Sequence, residues 1–369
     1  MTTLKTISPV NNKVYYSKDA STDAQIKQAL SNAHNTQKKW RQTSLETRAK
    51  ICKEIINYFN EKKDEIAKEI TWQMGRPISQ SAGEIAGFSE RANYMIDIAP
   101  QALEKKELPQ KDNFTRFINR EPIGIVFVVA PWNYPYLTSV NAIIPAIMAG
   151  NVVILKPSTQ TLKTGEHYQQ AFEYALEKTN NTEFKDIFKS LYLTHEQTIK
   201  LSENKKVDYI AFTGSVQGGQ KIQSASSIAN KFSNVGLELG GKDPAYVRED
   251  INTADLLKNT VENLVDGAFF NSGQSCCGVE RIYVHQSLYN DFVDLYVQAV
   301  KKYKLGNPTD KSTNLGPVVR ESAANYIRGQ ITEAIDMGAK AHISPDDFDI
   351  KNLGENYLAP QVLTNTNHK

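Results

Sequence analysis

The sequence predicts an α/β protein with a doubly wound parallel-sheet domain followed by a second α/β domain. From Ile123 onward, apolar runs typical of buried parallel strands alternate with segments of helical periodicity. A chain of 369 residues also exceeds what one hydrophobic core usually holds, which favours two domains. We therefore predict a first domain over residues 1–240 and a second over residues 241–369.

The region before the sheet reads as amphipathic helices. Apolar residues recur at helical spacing over residues 24–40, 45–74 and 85–103, among many Lys, Glu and Gln side chains. A polar stretch over residues 104–113 predicts a connector, and the alternation at Phe114–Asn119 predicts an exposed strand.

The first predicted strand of the sheet is an almost uninterrupted apolar run that begins at Ile123. Further strands are expected at 152–156 and 207–213, and crossover helices at 138–149 and 163–178. In such sheets ligands bind beyond the carboxyl ends of the strands. Asn133, Lys156 and Ser215 each follow a predicted strand, so we expect all three at a ligand site.

Composition excludes several classes of protein. The chain has 43 basic and 41 acidic residues, a net charge of +2 spread along its length, so nucleic acid is not an expected partner. Its N-terminus lacks the apolar core of a signal peptide, and no apolar run reaches the length of a membrane span. The odd number of cysteines, with Cys276 and Cys277 adjacent, favours reduced thiols and a cytoplasmic location. The histidines lack zinc-like spacing, so no metal is expected.

Cys276 and Glu238 are the candidate catalytic residues. A cysteine that attacks a carbonyl needs thiolate character and an open approach, and the nearby Gly273 removes bulk. Glu238 precedes Gly240 and Gly241, and its carboxylate is suited to activate water as a general base. Taken singly, a lone cysteine is more often an inert apolar residue, and a Gly-Gly pair more often ends an element.

Separated motifs nevertheless occur in a consistent order along the chain. They are Pro131-Trp132-Asn133, Leu155-Lys156-Pro157-Ser158, Phe212-Thr213-Gly214-Ser215, Glu238-Leu239-Gly240-Gly241-Lys242 and Phe270-Asn271-Ser272-Gly273-Gln274-Ser275-Cys276. In these motifs the sequence resembles the aldehyde dehydrogenase superfamily, of the non-acylating type. The resemblance implies that Cys276 is the nucleophile, Glu238 the base and the amide of Asn133 an oxyanion donor.

The resemblance also implies a dinucleotide site in the first domain. Lys156 matches a ribose-contacting lysine, and Ser215 starts a helix whose amides would meet a pyrophosphate. Further cofactor contacts are implied for Trp132, Ser158, Gly214 and Leu239 of the same motifs, and for Gly219 in the Gly-rich run that follows Ser215. Many NAD-preferring relatives carry a glutamate where this chain has Thr159, so NADP is admissible beside NAD. A Gly-rich stretch of the family is missing from residues 184–203, which predicts a different cofactor contact there.

The implied reaction oxidises a small-molecule aldehyde to a carboxylic acid, and two alternatives stay open. One is a reductase of an activated acyl group, which would share the thioester. The other is an inactive truncated relative, because the sequence reaches Lys369 before the family's Glu-x-Phe-Gly-Pro segment. On this interpretation the catalytic domain is incomplete at its C-terminus.

Residues 108–121 would form an oligomerisation strand, and a homo-oligomer is expected if the C-terminal arm is present.

Overall fold

The computed structural model describes residues 2–229, 231–350 and 352–368. Two compact units are present. Their segments are Met1–Thr6, Tyr16–Ile66 and Gly83–Leu239 in the first unit, and Ile7–Tyr15, Ala67–Ala82 and Gly240–Lys369 in the second. The second unit thus includes two N-terminal segments that the sequence-based division assigns to residues 1–240. The domain division at residues 240 and 241 stays a prediction.

Helices and strands alternate along most of the chain. The α-helices are α1 Asp23–Trp40, α2 Leu45–Glu61, α3 Lys63–Met74, α4 Ile78–Leu103, α5 Pro135–Met148, α6 Lys163–Lys178, α7 His195–Ser202, α8 Val216–Ser227, α9 Ala254–Phe269, α10 Tyr289–Val300 and α11 Glu321–Asp336. The strands are β1 Thr3–Ile7, β2 Val14–Asp19, β3 Lys106–Glu107, β4 Phe117–Ile118, β5 Ile125–Val129, β6 Val152–Lys156, β7 Phe188–Ser190, β8 Tyr209–Thr213, β9 Asn234–Glu238, β10 Asp243–Val247, β11 Val279–Val284, β12 Lys340–Ala341 and β13 Leu363–Thr364. Short 3-10 helices cover Thr159–Thr161, Thr182–Phe184, Phe270–Gly273, Gln286–Leu288 and Pro345–Asp347.

A five-stranded parallel sheet forms the centre of the first unit. Its strand order is β7-β6-β5-β8-β9, and all neighbours pair in parallel. Every residue of β5 and β6 is buried, as expected for apolar strands covered by helices on both faces. The predicted doubly wound sheet is confirmed, and its strand order reverses direction between β5 and β8.

Aromatic side chains fill much of the core between the helices and this sheet. The Phe59 ring lies 4.4 Å from Phe88 and 5.1 Å from Tyr168, between ring centroids. Phe172 stacks on Phe188 of β7 at 4.2 Å. Burying one such ring contributes roughly 2 kcal/mol or more, so these contacts hold the helices firmly against the strands.

Two sequence-based boundaries are corrected. The helical pattern over residues 45–74 is two helices, because the backbone leaves the helical region at Lys62, with φ −95° and ψ 8°, and ends α2 there. The strand expected at Phe114–Asn119 is reduced to β4, which pairs with β3 in an antiparallel hairpin. Phe117 and Ile118 are about half exposed in that hairpin. Among the described residues, no helix is both long and apolar enough to cross a membrane.

The second unit has a smaller sheet and its own core. Strands β10 and β11 pair in parallel, with Tyr246 opposite Tyr283 and Val247 opposite Val284. Helices α9 and α10 pack together through a buried apolar cluster that includes Val261 and Phe292. This unit positions the loop that carries Cys276.

Candidate active site

The motif residues of the first unit lie along one edge of the five-stranded sheet. Because parallel strands point the same way, the segments that follow β5, β6, β8 and β9 all leave at the carboxyl edge. The residues concerned are Trp132 and Asn133 after β5, Lys156, Ser158 and Thr159 at the end of β6, Gly214 and Ser215 after β8, and Glu238 and Leu239 at the end of β9. Trp132 and Asn133 are half-buried, whereas Glu238 is exposed.

The loop between β8 and α8 joins Glu238 to a helix N-terminus. The Gly214 amide donates to the Glu238 carbonyl oxygen at 3.0 Å, which holds the two strand ends together. Ser215 caps α8, and its hydroxyl oxygen accepts from the Gly218 amide at 3.1 Å. The first turn of α8 carries no acidic residue, so the positive end of the helix dipole is not neutralised by its own sequence.

Gly219 has a packing reason to be glycine. A Cβ at this position would lie 2.7 Å from a methyl carbon of Leu239, so any larger residue would require the Leu239 side chain to shift. The absence of a side chain lets α8 approach the end of β9 closely. Gly219 therefore packs against Leu239, the residue that follows Glu238.

Positive charge collects near the end of β6. Lys156 is 6% exposed, and burial lowers the pKa of its ammonium group to about 8. Burial also lowers the pKa of His195, at the start of α7, and the charges of Lys156 and Lys221 lower it further. Both lysines therefore lie close enough to His195 to disfavour its protonation, and their positive charges would attract an anion.

Ser158 and Thr159 shape the turn that follows Lys156. The Ser158 hydroxyl oxygen accepts from the Gln160 amide at 3.2 Å and so caps the short helix Thr159–Thr161. The Thr159 carbonyl oxygen accepts from the Thr6 hydroxyl at 2.9 Å. Thr159 is half-buried, so its backbone is held while its side chain keeps partial access to solvent.

The loop before Cys276 has an uncommon backbone. Asn271, Ser272 and Gly273 follow one another with φ values of 54°, 57° and 71°, all in the left-handed region. Glycine adopts this region freely and asparagine tolerates it, but serine is disfavoured there by roughly 1 kcal/mol or more. The surrounding structure must therefore hold this loop.

Side-chain hydrogen bonds provide that restraint. Asn271 is fully buried, and its side-chain oxygen accepts from Nε of Arg76 at 3.1 Å. Arg76 is itself only 1% exposed. Gln274 donates to the Asn271 carbonyl oxygen at 3.1 Å and accepts from the Val319 amide at 2.7 Å. Buried groups fix the loop on one side, while Cys276 is exposed on the other.

The Cys276 thiol is not strongly activated by its own loop. Burial and the neighbouring Cys277 thiol raise its pKa, while hydrogen bonds from the backbone amides of Cys276 and Cys277 act in the opposite direction. A thiol with a raised pKa is mostly protonated at neutral pH. Attack on a carbonyl therefore requires a base that takes the proton.

The glycines that follow Glu238 along the chain belong to the second unit and lie beside the cysteine loop. A Cβ on Gly241 would lie 2.1 Å from the Cys276 carbonyl oxygen, so only glycine fits there. Lys242 forms an ion pair with Glu280 of β11, and its carbonyl oxygen accepts from Arg281 at 2.7 Å. Parallel pairing of β10 with β11 thus brings the Gly240-Gly241-Lys242 segment next to Cys276.

The structure groups the sequence-predicted residues in two sets. Asn133, Glu238 and the residues assigned to the cofactor lie in the first unit, and Cys276 lies in the second. The sequence motifs did not point to Arg76, Glu84 or His195. The Asn-Ser-Gly run of the cysteine loop carried a signal, because Asn and Gly both favour left-handed backbone. No such signal in the sequence marked Glu84.

Comparisons with known proteins show the family to which the chain belongs. The model of the aldehyde dehydrogenase family matches residues 1–369. Peroxisomal aminoaldehyde dehydrogenase 1 of Pisum sativum is 31% identical over 335 residues, which are 87% of this chain and 62% of that protein. The chain thus spans less than two thirds of this relative's length.

Solved structures of dehydrogenases have the same fold. NADP-complexed glyceraldehyde-3-phosphate dehydrogenase from Methanocaldococcus jannaschii matches with a TM-score of 0.85 and 28% identity, over 98% of this chain and 75% of that one. The NADP-dependent glyceraldehyde-3-phosphate dehydrogenase from Bacillus halodurans, also complexed with NADP, gives 0.86 and 28%, over 98% and 73%. With its ordered motifs and its fold, the chain belongs to the aldehyde dehydrogenase family.

Proposed function

We propose that this chain oxidises a small-molecule aldehyde to a carboxylic acid, with NAD or NADP as the hydride acceptor. The observation that supports this most directly is the exposed Cys276 thiol, carried on a loop whose strained backbone is held by buried hydrogen bonds. Strain of this kind persists where the surrounding structure over-determines it, which is common at reactive sites. Membership of the aldehyde dehydrogenase family gives the reaction class.

The residues at the carboxyl edge of the sheet fit a dinucleotide. The uncompensated N-terminus of α8 suits a pyrophosphate. A cleft of about 520 Å³ next to it is lined by Ile199 of α7 and by Gln217 and Lys221 of α8, and it could receive a base and ribose. Lys156 would contact the ribose, with Trp132, Ser158, Gly214 and Leu239 around the remaining cofactor.

The choice between NAD and NADP depends on charge at the end of β6. Thr159 lacks the carboxylate that would repel a 2′-phosphate, and the ammonium group of Lys156 would attract one. Both glyceraldehyde-3-phosphate dehydrogenase structures compared above hold NADP. We therefore propose that the affinity of the chain for NADP is at most about tenfold weaker than its affinity for NAD.

The chain's own residues would divide the chemistry between them. Cys276 passes its proton to water and attacks the aldehyde carbon as the thiolate to form a thiohemiacetal, while the Asn133 amide and a backbone amide stabilise the oxyanion. A dinucleotide held at the carboxyl edge of the sheet would supply the hydride acceptor, so that the thiohemiacetal on Cys276 could be oxidised to a thioester. Glu238 takes a proton from water, and the resulting attack on the thioester releases the acid and restores the thiol.

The relatives also guide our proposals for substrate and location. The pea relative is named for aminoaldehydes. The archaeal and the bacterial relative are each named for glyceraldehyde 3-phosphate, so the substrate class that all three share is a small aldehyde. The cytoplasm stays our proposal for location, although the pea protein is named as peroxisomal. The exposed apolar side chains of Phe114, Phe117 and Ile118, in and beside the hairpin of β3 and β4, support a homo-oligomer.

Cys276→Ser with Cys277→Ser as its matched control tests the proposal. The chain is incubated with NAD or NADP and a panel of short aliphatic, amino and phosphorylated aldehydes, and NAD(P)H formation is followed together with the intact mass. We expect turnover and a covalent adduct in wild type and Cys277→Ser but in neither case with Cys276→Ser. Acyl phosphate reduction without aldehyde oxidation would instead favour the reductase, and no adduct with any aldehyde would favour the inactive relative.

A further inference from the structure

The N-terminus of α5 lies directly after Asn133 and is capped by a residue from another helix. The residue before the helix is Tyr134, and tyrosine is a poor N-cap. Instead, the Glu84 carboxylate on α4 accepts hydrogen bonds from the Tyr136 amide at 2.7 Å and from the Leu137 amide at 3.2 Å. Both bonds go to the same oxygen, Oε1, and Glu84 is only 3% exposed.

Burial of a carboxylate is costly unless hydrogen bonds and favourable dipoles offset it. Here the two amides and the positive end of the α5 dipole do so. Capping by an exposed Ser or Asp would achieve the same helix stability without a buried charge. A carboxylate delivered from α4 adds something that a local cap cannot, because it ties the start of α5 to a second helix.

Tyr136 is held at three separate atoms. Its amide donates to Glu84, its carbonyl oxygen accepts from the Tyr168 hydroxyl at 3.1 Å, and its own hydroxyl is hydrogen-bonded to His167 Nδ1 at 2.7 Å. Tyr136 is fully buried. Burial lowers the pKa of His167 to about 4, so this imidazole is neutral at physiological pH and Nδ1 can accept the proton.

The segment between Tyr136 and Asn133 transmits this restraint. Pro135 fixes its own φ angle, and the Tyr134 carbonyl oxygen accepts from the Thr138 amide at 3.0 Å. Few free dihedral angles are therefore left between the anchored Tyr136 and the side chain of Asn133. An oxyanion donor is effective only if it is held in place before the reaction.

We propose that Glu84 is a positioning residue that fixes Asn133 in the orientation required of an oxyanion donor. The inference rests on the proposed function of Asn133 and extends it to a residue outside the site motifs. Glu84 touches neither substrate nor cofactor in this scheme. It acts through the amides of Tyr136 and Leu137.

Paired substitutions at Glu84 test the proposal in the full chain. Glu84→Ala removes the acceptor, while Glu84→Gln keeps an Oε1 that can accept both bonds and replaces the charged carboxylate with a neutral amide, whose NH2 group takes the place of Oε2. Glu90→Gln is the matched control, because Glu90 is exposed on the same helix. We expect Glu84→Ala to slow the NAD(P)H burst about tenfold or more with an aldehyde KM within about twofold, and Glu84→Gln to recover most of the rate.

A double-mutant cycle separates positioning from a general loss of structure. In an Asn133→Ala background, Glu84→Gln and Glu84→Ala should have no further effect on the burst, since the group being positioned is gone. An equal loss in both backgrounds would overturn the proposal. So would an unchanged burst in Glu84→Ala.

Hydrogen exchange gives a readout that does not need activity. Exchange of the peptide covering residues 131–140 should rise at least about tenfold in Glu84→Ala relative to Glu90→Gln, with Glu84→Gln between them. If wild type forms neither NAD(P)H nor a covalent adduct with any aldehyde, the proposed function fails, and hydrogen exchange alone decides whether Glu84 anchors the segment. Unchanged exchange with a folded Glu84→Ala protein would refute the anchoring role in either case.

Discussion

The two parts of the proposed site are built by different means. At the carboxyl edge of the five-stranded sheet, regular strands and helix starts hold Asn133, Lys156 and Ser215. In the cysteine loop, consecutive left-handed residues carry the nucleophile, and buried side chains such as Arg76 hold them. The strands that end at the carboxyl edge have their backbone groups satisfied by pairing, whereas the cysteine loop depends on a few individual hydrogen bonds.

The difference implies different sensitivities to mutation. A binding residue at the sheet edge can be replaced with little change in the surrounding backbone, because the ladder of strand hydrogen bonds does not involve its side chain. A residue that anchors the cysteine loop cannot be replaced in this way, because its side chain itself restrains the loop. Changes at the edge should therefore alter chemistry or affinity, and changes at the loop anchors should alter stability and chemistry together.

The largest effect is expected for Glu238→Gln, which tests whether the sheet edge supplies the base. Steady turnover should fall by about 10² to 10⁴, while acylation of Cys276 continues. Rapid mixing should show a burst close to one NAD(P)H per active site, followed by almost no steady rate. Glu183→Gln, an exposed glutamate of the same unit, serves as control. An unchanged steady rate would mean that another group activates water.

Asn271→Ala tests the anchor of the cysteine loop. The substitution removes the acceptor for buried Arg76 and places alanine at a positive φ, so we expect a loss of about 3 kcal/mol in the free energy of unfolding. Urea unfolding measures the loss, and labelling of Cys276 by a thiol reagent should become faster. Asn263→Ala, at an exposed position of α9, should stay within about 0.5 kcal/mol of wild type. Equal stability of the two variants would contradict the proposed restraint.

A smaller change is expected for Thr159→Glu at the sheet edge. The introduced carboxylate would repel a 2′-phosphate and accept ribose hydroxyls, so the ratio of NADP to NAD affinity should fall about tenfold, or roughly 1.4 kcal/mol. Fluorescence titration with each dinucleotide gives the ratio. Thr159→Val removes the hydroxyl without adding charge and should leave the ratio nearly unchanged. Exclusion of NADP by wild type, with no effect of Thr159→Glu, would disprove the role of this position.

The smallest effect concerns pH. Burial lowers the pKa of Lys156 from its ordinary value to about 8, so this lysine is charged below pH 8 and increasingly neutral above it. A 2′-phosphate favours the charged form, and the NADP to NAD affinity ratio should therefore fall a few-fold as pH rises from about 7 to 9. Lys156→Gln should flatten the profile. A ratio that rises with pH in wild type would contradict the assignment.

Much of the first unit could be predicted from the sequence. Strands β5 and β6 are continuous apolar runs, and helix α6 runs over residues 163–178 as its periodicity indicated. Motif residues after these strands were expected at one edge, and parallel pairing does bring them there. Their roles in catalysis and cofactor binding remain predictions.

The sequence by itself determined the fold class, the family and the candidate chemical groups, because hydrophobic periodicity and motif order are local properties of the chain. Tertiary structure alone decided which side chains hold those groups in place. Arg76 and Asn271 are far apart along the chain yet form a buried hydrogen bond, and Glu84 caps a helix that begins many residues later. No local pattern encodes such pairs, since the free energy of a buried hydrogen bond arises only when packing removes water from both partners.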